Sequence, residues 1–136
     1  MASRSSKVPE NRDAPPVLHE LEAEVMEQIW SCGESSVRSV MEALNRKAPR
    51  KRAYTTYMTI MARLHTKGLL TRRRDGKTDY YAPAFARDEY MELRASADVD
   101  DLVEQYGDVA LSHFAQHIAG LDPARRRALQ RLARKR

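Results

Sequence analysis

Four side chains between residues 55 and 63 have the types and the spacing to read a nucleic acid. Thr55, Thr56, Thr59 and Arg63 share one side of any helix that contains them, because residues three and four apart stack on the same face. Hydroxyls hydrogen-bond phosphate oxygens or base edges, and threonine methyls can meet the thymine methyl. An arginine reaches a guanine edge or a phosphate bidentately. Threonines at a helix start are also ordinary caps, and an arginine is also an ordinary surface charge. Against that reading, no acid lies near these residues in the sequence to pair with. A second group flanks Asp75-Gly76: Arg72, Arg73, Arg74 and Lys77, suited to phosphate or minor-groove contact. Strand alternation would put Arg72 and Arg74 on one face and Arg73 on the other. Arg50, Lys51 and Arg52 come just before the threonines and are expected along the backbone of the duplex.

No catalytic constellation is found in the sequence. It contains no P-loop, no glycine-rich phosphate cradle and no His-Glu-x-x-His. His113 and His117 form an i, i+4 pair that could hold a divalent metal, but they sit beside Phe114 and Ile118 with no third ligand evident. They read as part of a packing helix. Neither an enzyme activity nor a metal or cofactor is expected. Cys32 is the single cysteine, which excludes an internal disulfide and a thiolate-cage metal site and fits a reducing compartment. No apolar run approaches the ~18 residues of a membrane span. The opening residues also lack the hydrophobic stretch of a secretory signal. The expected location is the cytoplasm, with no membrane partner.

The net charge of +5 hides a strong segregation. Residues 17–44 carry six glutamates against Arg38, while residues 45–77 carry eleven Lys/Arg against Asp75. Residues 87–120 carry eight acids against Arg87 and Arg94, and the last sixteen residues carry seven bases against Asp122. A cationic block confined to a quarter of the chain is the footprint of a surface that meets a polyanion. Taken alone it could equally be a solvated basic face.

The chain has 136 residues, room for one domain or one small domain plus an appendage, and its 42% apolar content supports a core. Residues 1–16, rich in Ser, Pro and charge, read as a flexible arm. Leu18, Leu21, Val25, Ile29 and Cys32 recur at helical steps, with Glu20, Glu22, Glu24 and Glu27 on the other face. This predicts an amphipathic helix ended by Gly33, with Trp30 and Cys32 as core residues. Ser35 or Ser36 can cap a second helix to about Arg46, with Val37, Val40, Met41 and Leu44 inward. A basic loop broken by Pro49 leads to a third helix over about Tyr54–Lys67. Its apolar stripe is Tyr57, Ile60, Met61 and Leu64, and it is closed by Gly68. Leu69–Arg74 and Lys77–Ala82 around Asp75-Gly76 predict a hairpin with a type I′ turn, stopped by Pro83. Three helices and a basic hairpin is the order of a winged helix-turn-helix.

Beyond Pro83 the pattern predicts helices over about Asp88–Ala97 and Asp98–Ala119, then a last one opened by Asp122-Pro123 with a narrow edge of Leu129 and Leu132. Val99, Leu102, Val103, Tyr106, Ala110, Phe114 and Ile118 make a stripe too small to close a core alone, so it must meet the winged helix or another copy of the chain. Asp98, Asp100, Asp101 and Glu104 would open a helix, where the macrodipole favours them. Arg125, Arg126 and Arg127 sit in a first turn, where it disfavours them, and so hint at an anionic partner.

These residues resemble a known family. The stretch Leu18–Trp30, the run Ser36–Val40, Tyr54-Thr-Thr, Thr59, Arg63–Leu70 and Tyr81-Ala-Pro83 together are similar to the penicillinase-repressor (BlaI/MecI/CopY) family, over about residues 17–85. The resemblance implies a dimeric transcriptional repressor whose winged helices bind the two half-sites of a palindromic operator in double-stranded DNA. It carries the DNA contacts to Thr55, Thr56, Thr59 and Arg63, with Arg74 on the wing, and it implies that the C-terminal helices make the homodimer. The dimer contacts are then expected on Leu102, Val103, Tyr106, Phe114 and Ile118. Members answering β-lactams are cut at an Asn-Phe bond in the dimer arm, but no asparagine follows Asn45 here; copper-responsive members end in clustered cysteines, which this chain lacks. Neither inducing signal transfers, which leaves open a regulatory protease or another signal.

The expected fold is mainly α with a small β-hairpin. It comprises an N-terminal arm over residues 1–16, a winged helix-turn-helix over 17–85 and a helical dimerisation region over 86–136. The competing reading is a winged-helix protein-interaction adaptor that binds an acidic protein and never reads sequence.

Overall fold

A computed structural model of the chain describes residues 14–135. The arm expected over residues 1–16 lies outside the described residues as far as Asp13. Six helices and a small sheet follow in the order α1 (Glu20–Cys32), β1 (Ser35–Ser36), α2 (Val37–Lys47), α3 (Tyr54–Thr66), β2 (Leu70–Asp75), β3 (Thr78–Pro83), α4 (Arg87–Tyr106), α5 (Asp108–Ala119) and α6 (Pro123–Lys135). The chain divides into two compact units, one ending at Ala95 and the other beginning at Ser96.

The first unit is a winged helix. Its core gathers one face of each of the first three helices: Val25, Met26 and Ile29; Val37, Val40 and Leu44; Tyr57, Ile60, Met61 and Leu64. Leu69, Leu70 and Tyr81 close it from the sheet side and Tyr90 from the start of α4. Burial of a side chain such as Leu64 or Ile29 contributes roughly 1.5–3 kcal/mol, so this cluster dominates the stability of the unit. The inward positions of α3 are those the periodicity predicts; in α2 Val37, Val40 and Leu44 are buried as predicted, while Met41 is half-buried and Ala43 is buried in addition. In α1 two differ. Cys32 is exposed, in the last turn beyond the core, and Trp30 is only half-buried. Trp30 donates its indole N–H to the Phe85 carbonyl at 2.8 Å and lies 5.5 Å from the Tyr90 ring. Glu22, placed by periodicity on the solvent face, is buried instead.

β2 and β3 form the wing, with Leu70 opposite Pro83 and Asp75 opposite Thr78. The turn residues are therefore Gly76 and Lys77, one position later than an Asp75-Gly76 turn. Only Gly76 has a positive φ, 66°, which gives the type II′ arrangement with glycine first instead of I′. β1, invisible to periodicity because it is two residues long, pairs antiparallel with β3 and makes β3 the central strand. The end of the N-terminal segment is anchored: the Pro15 and Pro16 carbonyls accept hydrogen bonds from Arg94 and the Tyr90 hydroxyl. Arg87 also forks onto the Glu27 carboxylate at 2.9 and 3.0 Å. The first turns of α4 thus belong to the winged-helix unit.

The second unit holds the rest of α4, α5 and α6. α4 is continuous through Ala97 and Asp98, where a helix boundary was expected. The break falls at Gly107, whose φ of 59° no other residue type adopts readily. None of the helices of this unit packs extensively on another, and α6 has no buried residue.

Candidate nucleic-acid interface

α3 is held at both ends. At its start, Asn45 clamps the preceding loop. Its amide donates to the Arg52 carbonyl at 3.0 Å, and its carbonyl oxygen accepts from the Arg52 N–H at 3.1 Å and the Tyr57 hydroxyl at 2.8 Å. Tyr57 is wholly buried, so one asparagine ties the end of α2, the loop and the first turn of α3 into one piece. No periodicity marks Asn45; only its position near the end of α2 could have signalled it. At the other end, Lys67 donates to both oxygens of buried Glu22 at 3.0 and 2.9 Å, pinning α3 to α1. Burial raises the pKa of Glu22, but the His19 N–H and the hydrogen bond and charge of Lys67 outweigh it and hold the carboxyl below its ordinary value.

With Tyr57, Ile60, Met61 and Leu64 turned inward, the outer face of α3 presents Thr55, Thr59, Arg63 and Thr66 to solvent, with Thr56 half-buried beside them. The structure brings together the four residues that the sequence singles out. Arg63 enters no ion pair among the described residues, so its guanidinium is available to a ligand.

The wing divides its cations. Arg73 is spent within the protein. It forks onto Glu34 at 3.0 and 2.8 Å and lies over the Tyr80 ring at 5.1 Å. That hydrogen bond and the opposite charges hold Glu34 below and Arg73 above their ordinary pKa values. Arg72 and Lys77 are exposed and make no ion pair among the described residues. Arg74 is exposed too, loosely held by the Gly76 carbonyl at 3.3 Å and Asp79 at 3.5 Å. Alternation thus separates Arg73 from its neighbours as expected, and Glu34 supplies the reason it faces away.

Arg52, expected along the duplex backbone, has its guanidinium turned to Glu24 of α1, 3.6 Å away, and its backbone held by Asn45, so it also braces the loop before α3. The structure adds Arg38 to the cations beside α3. Between the starts of α2 and α3 and the strand β3 lies a cleft of about 530 Å³, lined by Ser36, Arg38, Tyr54, Met58, Lys77 and Thr78 among others. Arg38 stands over the Tyr54 ring at 5.7 Å. Ser36 caps α2, its hydroxyl accepting from the Ser39 N–H at 3.2 Å, and the partial positive charge of that helix end lies at the cleft. Two cations and a helix N-terminus around a polar cleft beside α3 can seat a phosphate.

In the second unit, Leu102, Tyr106 and Ile118 are exposed, and Val103 and Phe114 are half-buried. Leu102, Tyr106, Val109, Ala110, His113 and Phe114 line an apolar cleft of about 300 Å³. His113 is thereby a wall of that cleft. No helix among the described residues is long and apolar enough to cross a membrane.

Comparison with known proteins places this geometry in a family. The family model described as Penicillinase repressor matches residues 18–135, extending through α6 beyond the residues on which the motif resemblance rests. The chain is 43% identical over 122 residues to the transcriptional regulator BlaI of Mycobacterium tuberculosis, in strains CDC 1551 and H37Rv, a match covering 85% of this chain and 84% of theirs. Among solved structures it is similar to the DNA-binding domain of the repressor BlaI, at 26% identity and a TM-score of 0.49, over 56% of this chain and 90% of that one. It is similar at 26% identity and a TM-score of 0.47 to the monomeric form of Bacillus licheniformis BlaI in complex with the blaP half-operator, over the same shares. The match of a repressor-family model to both units, with a winged helix presenting the threonine and arginine face, makes this chain a member of the penicillinase-repressor family.

Proposed function

We propose that the protein is a sequence-specific, DNA-binding transcriptional repressor that acts as a homodimer on a palindromic operator in the cytoplasm. The observation that carries this reading is the outer face of α3, where Thr55, Thr59 and Arg63 are exposed on a helix fixed at both ends by Asn45 and Lys67. In this reading α3 enters the major groove with its N-terminal half against base edges. Thr55, Thr56 and Thr59 contact thymine methyls, base edges or phosphates, and Arg63 takes a guanine edge. Arg72, Arg74 and Lys77 follow the phosphates beside it, and Arg38 and the start of α2 seat one more. Two copies joined through Leu102, Val103, Tyr106, Phe114 and Ile118 present two such helices, and the occupied operator excludes the transcription machinery.

Selection from a pool of random duplexes tests the proposal. Recovery of a two-fold symmetric motif is expected, with affinity that falls steeply as salt is raised, because each neutralised phosphate releases counterion. Absence of any enriched motif would refute sequence reading and leave the interaction-adaptor alternative. On the selected site, Arg63→Ala should lose about 1–3 kcal/mol of affinity and much less on random DNA. Equal losses on both would make Arg63 a phosphate contact.

A further inference from the structure

α3 leaves two large apolar side chains in water, one turn apart: Tyr54, 42% exposed, and Met58, 43% exposed. Tyr54 is engaged within the protein, since Arg38 stands over its ring at 5.7 Å. Met58 belongs neither to the core cluster nor to the residues packed against it. Its place on the helix is particular. The line i, i+4, i+7, i+11 down the outside of α3 is Thr55, Thr59, Ala62 and Thr66, four short side chains that let the helix come close to whatever it meets. By helical spacing Arg63 falls to one side of this ridge and Met58 to the other, at about equal angles. Two long side chains therefore flank the ridge, one cationic and one apolar. Met58 is on the side of the start of α2 and the wing, where it lines the cleft with Arg38 and Lys77.

We propose that Met58 is a specificity-determining residue that packs against the methyl group of a thymine in the operator half-site. The inference rests on the DNA-binding reading above and adds an apolar contact to its polar ones. The patch sits among cations, Arg38 and Lys77 in the cleft and Arg63 across the ridge, and Asp79 of the same cleft is paired with Arg74. That setting fits a polyanion. Within the major groove the chemistry leaves one partner. A thioether carries no charge and no donor and accepts only weakly, so phosphates and the polar base edges offer it little. The thymine methyl is the apolar group that the groove presents. It projects from the side of the base nearer its own sugar–phosphate strand. A side chain between a base-facing ridge and a phosphate-seating cleft is placed to meet it. Met58 also reaches further from the helix axis than the threonine methyls, and its unbranched chain adapts to the shape it meets. A guanine on the Arg63 side and a thymine on the Met58 side fix the direction of α3 along the groove, which the ridge of short side chains does not.

Deoxyuridine tests this, because it lacks only the methyl of thymine and keeps every hydrogen-bonding group. Each thymine of the selected operator is replaced in turn, and binding of the full chain is measured. For the parent, one position in each half-site should lose about fourfold in affinity when substituted, the effect of removing one apolar carbon from the contact. In Met58→Ala the thymine-to-deoxyuridine ratio at that position should fall to near one while the ratios at other thymines stay. Met58→Leu, of similar size, should keep the ratio, and so should Thr59→Ser, which removes the neighbouring threonine methyl. Met58 is exposed, so these variants keep the fold, which circular dichroism verifies. Met58→Ala with the parent's ratios at every thymine, or a half-site in which no thymine responds, would overturn the inference and leave sequence reading through Arg63 intact. Equal losses of Met58→Ala on the operator and on random DNA would also overturn it, making Met58 a packing residue of the cleft. A pool that yields no motif would remove the operator-binding reading and this inference with it.

Discussion

Replacing Lys67 by methionine removes one half of the ion pair that fastens α3 to α1. Glu22 is 1% exposed, and its carboxylate accepts from Lys67 Nζ at 2.9 and 3.0 Å and from the His19 N–H at 3.0 Å. Taking away one partner of a buried pair costs 3–5 kcal/mol, by the usual order of magnitude, because the other charge is left desolvated. The Lys67 side chain keeps 26% of its surface in water, so the lower end applies, about 3 kcal/mol at pH 7. The pH dependence separates this from a simple packing loss. In the parent protein Glu22 titrates below its ordinary value, so its contribution is present above the unfolded carboxyl pKa and is lost as pH falls through the lower folded one. In Lys67→Met, burial is no longer offset by the ammonium, and the folded pKa rises above the unfolded value. The penalty is then present above that raised pKa and relieved as acid protonates the buried carboxyl. Parent and variant should therefore converge between neutral pH and about pH 4. Urea unfolding followed by the fluorescence of the single tryptophan, Trp30, at pH 7.5 and pH 4.5 and at fixed protein concentration, measures both quantities. A loss below about 1 kcal/mol at pH 7.5, or one unchanged at pH 4.5, would refute the reasoning. Glu22→Gln added to Lys67→Met should recover much of the loss, since no buried charge then remains.

Asn45→Ala should cost about 1–3 kcal/mol in the same unfolding assay, by orphaning the Arg52 N–H and carbonyl and the Tyr57 hydroxyl. It should also weaken operator binding, with no loss of a DNA-facing group. Arg72→Ala should lower DNA affinity in a mobility-shift titration, whereas Arg73→Ala should leave it near that of the parent, because Glu34 and Tyr80 already occupy Arg73. Tyr90→Phe should lose about 1 kcal/mol of stability with the hydrogen bond to Pro16, whether or not DNA is bound. Gly107→Ala, strained at a φ of 59° although a methyl would meet open space, should cost about 1–2 kcal/mol and lower the melting temperature of the unit that holds α5 and α6.

Much of the winged helix is legible in the amino-acid order because its elements are specified locally. The i, i+3, i+4, i+7 stripe of α3 both buries Tyr57, Ile60, Met61 and Leu64 and assigns Thr55, Thr59 and Arg63 to the outside; one periodicity yields core and site together. The Ser36 cap and the glycine turn of the wing are equally local. The misplacements have a common cause. Cys32 has the right period for the core but is exposed at the last residue of α1. Glu22 has a polar type on a face that Lys67, 45 residues away, converts into a buried ion pair. The hairpin turn lies one residue later than the Asp75-Gly76 signal, with Asp75 itself paired to Thr78, and β1, a two-residue strand, carries no signal of its own. A winged-helix boundary after residue 85 severs Arg87 from Glu27 and Tyr90 from Pro16 and the core, contacts that no periodicity announces.

Residue order by itself settles which side of each helix is apolar, where the chain turns, and that positive charge gathers around α3 and its wing, since all three follow from neighbours a few positions apart. Which of those cations remain for a ligand is decided in three dimensions. Glu34 reaches Arg73 across 39 residues and Glu24 reaches Arg52 across 28, leaving Arg63, Arg72 and Lys77 outside any ion pair among the described residues and adding Arg38 through the packing of α2 beside α3 and β3. A charge is neutralised by whatever lies within a few ångströms, and only the folded chain determines those neighbours.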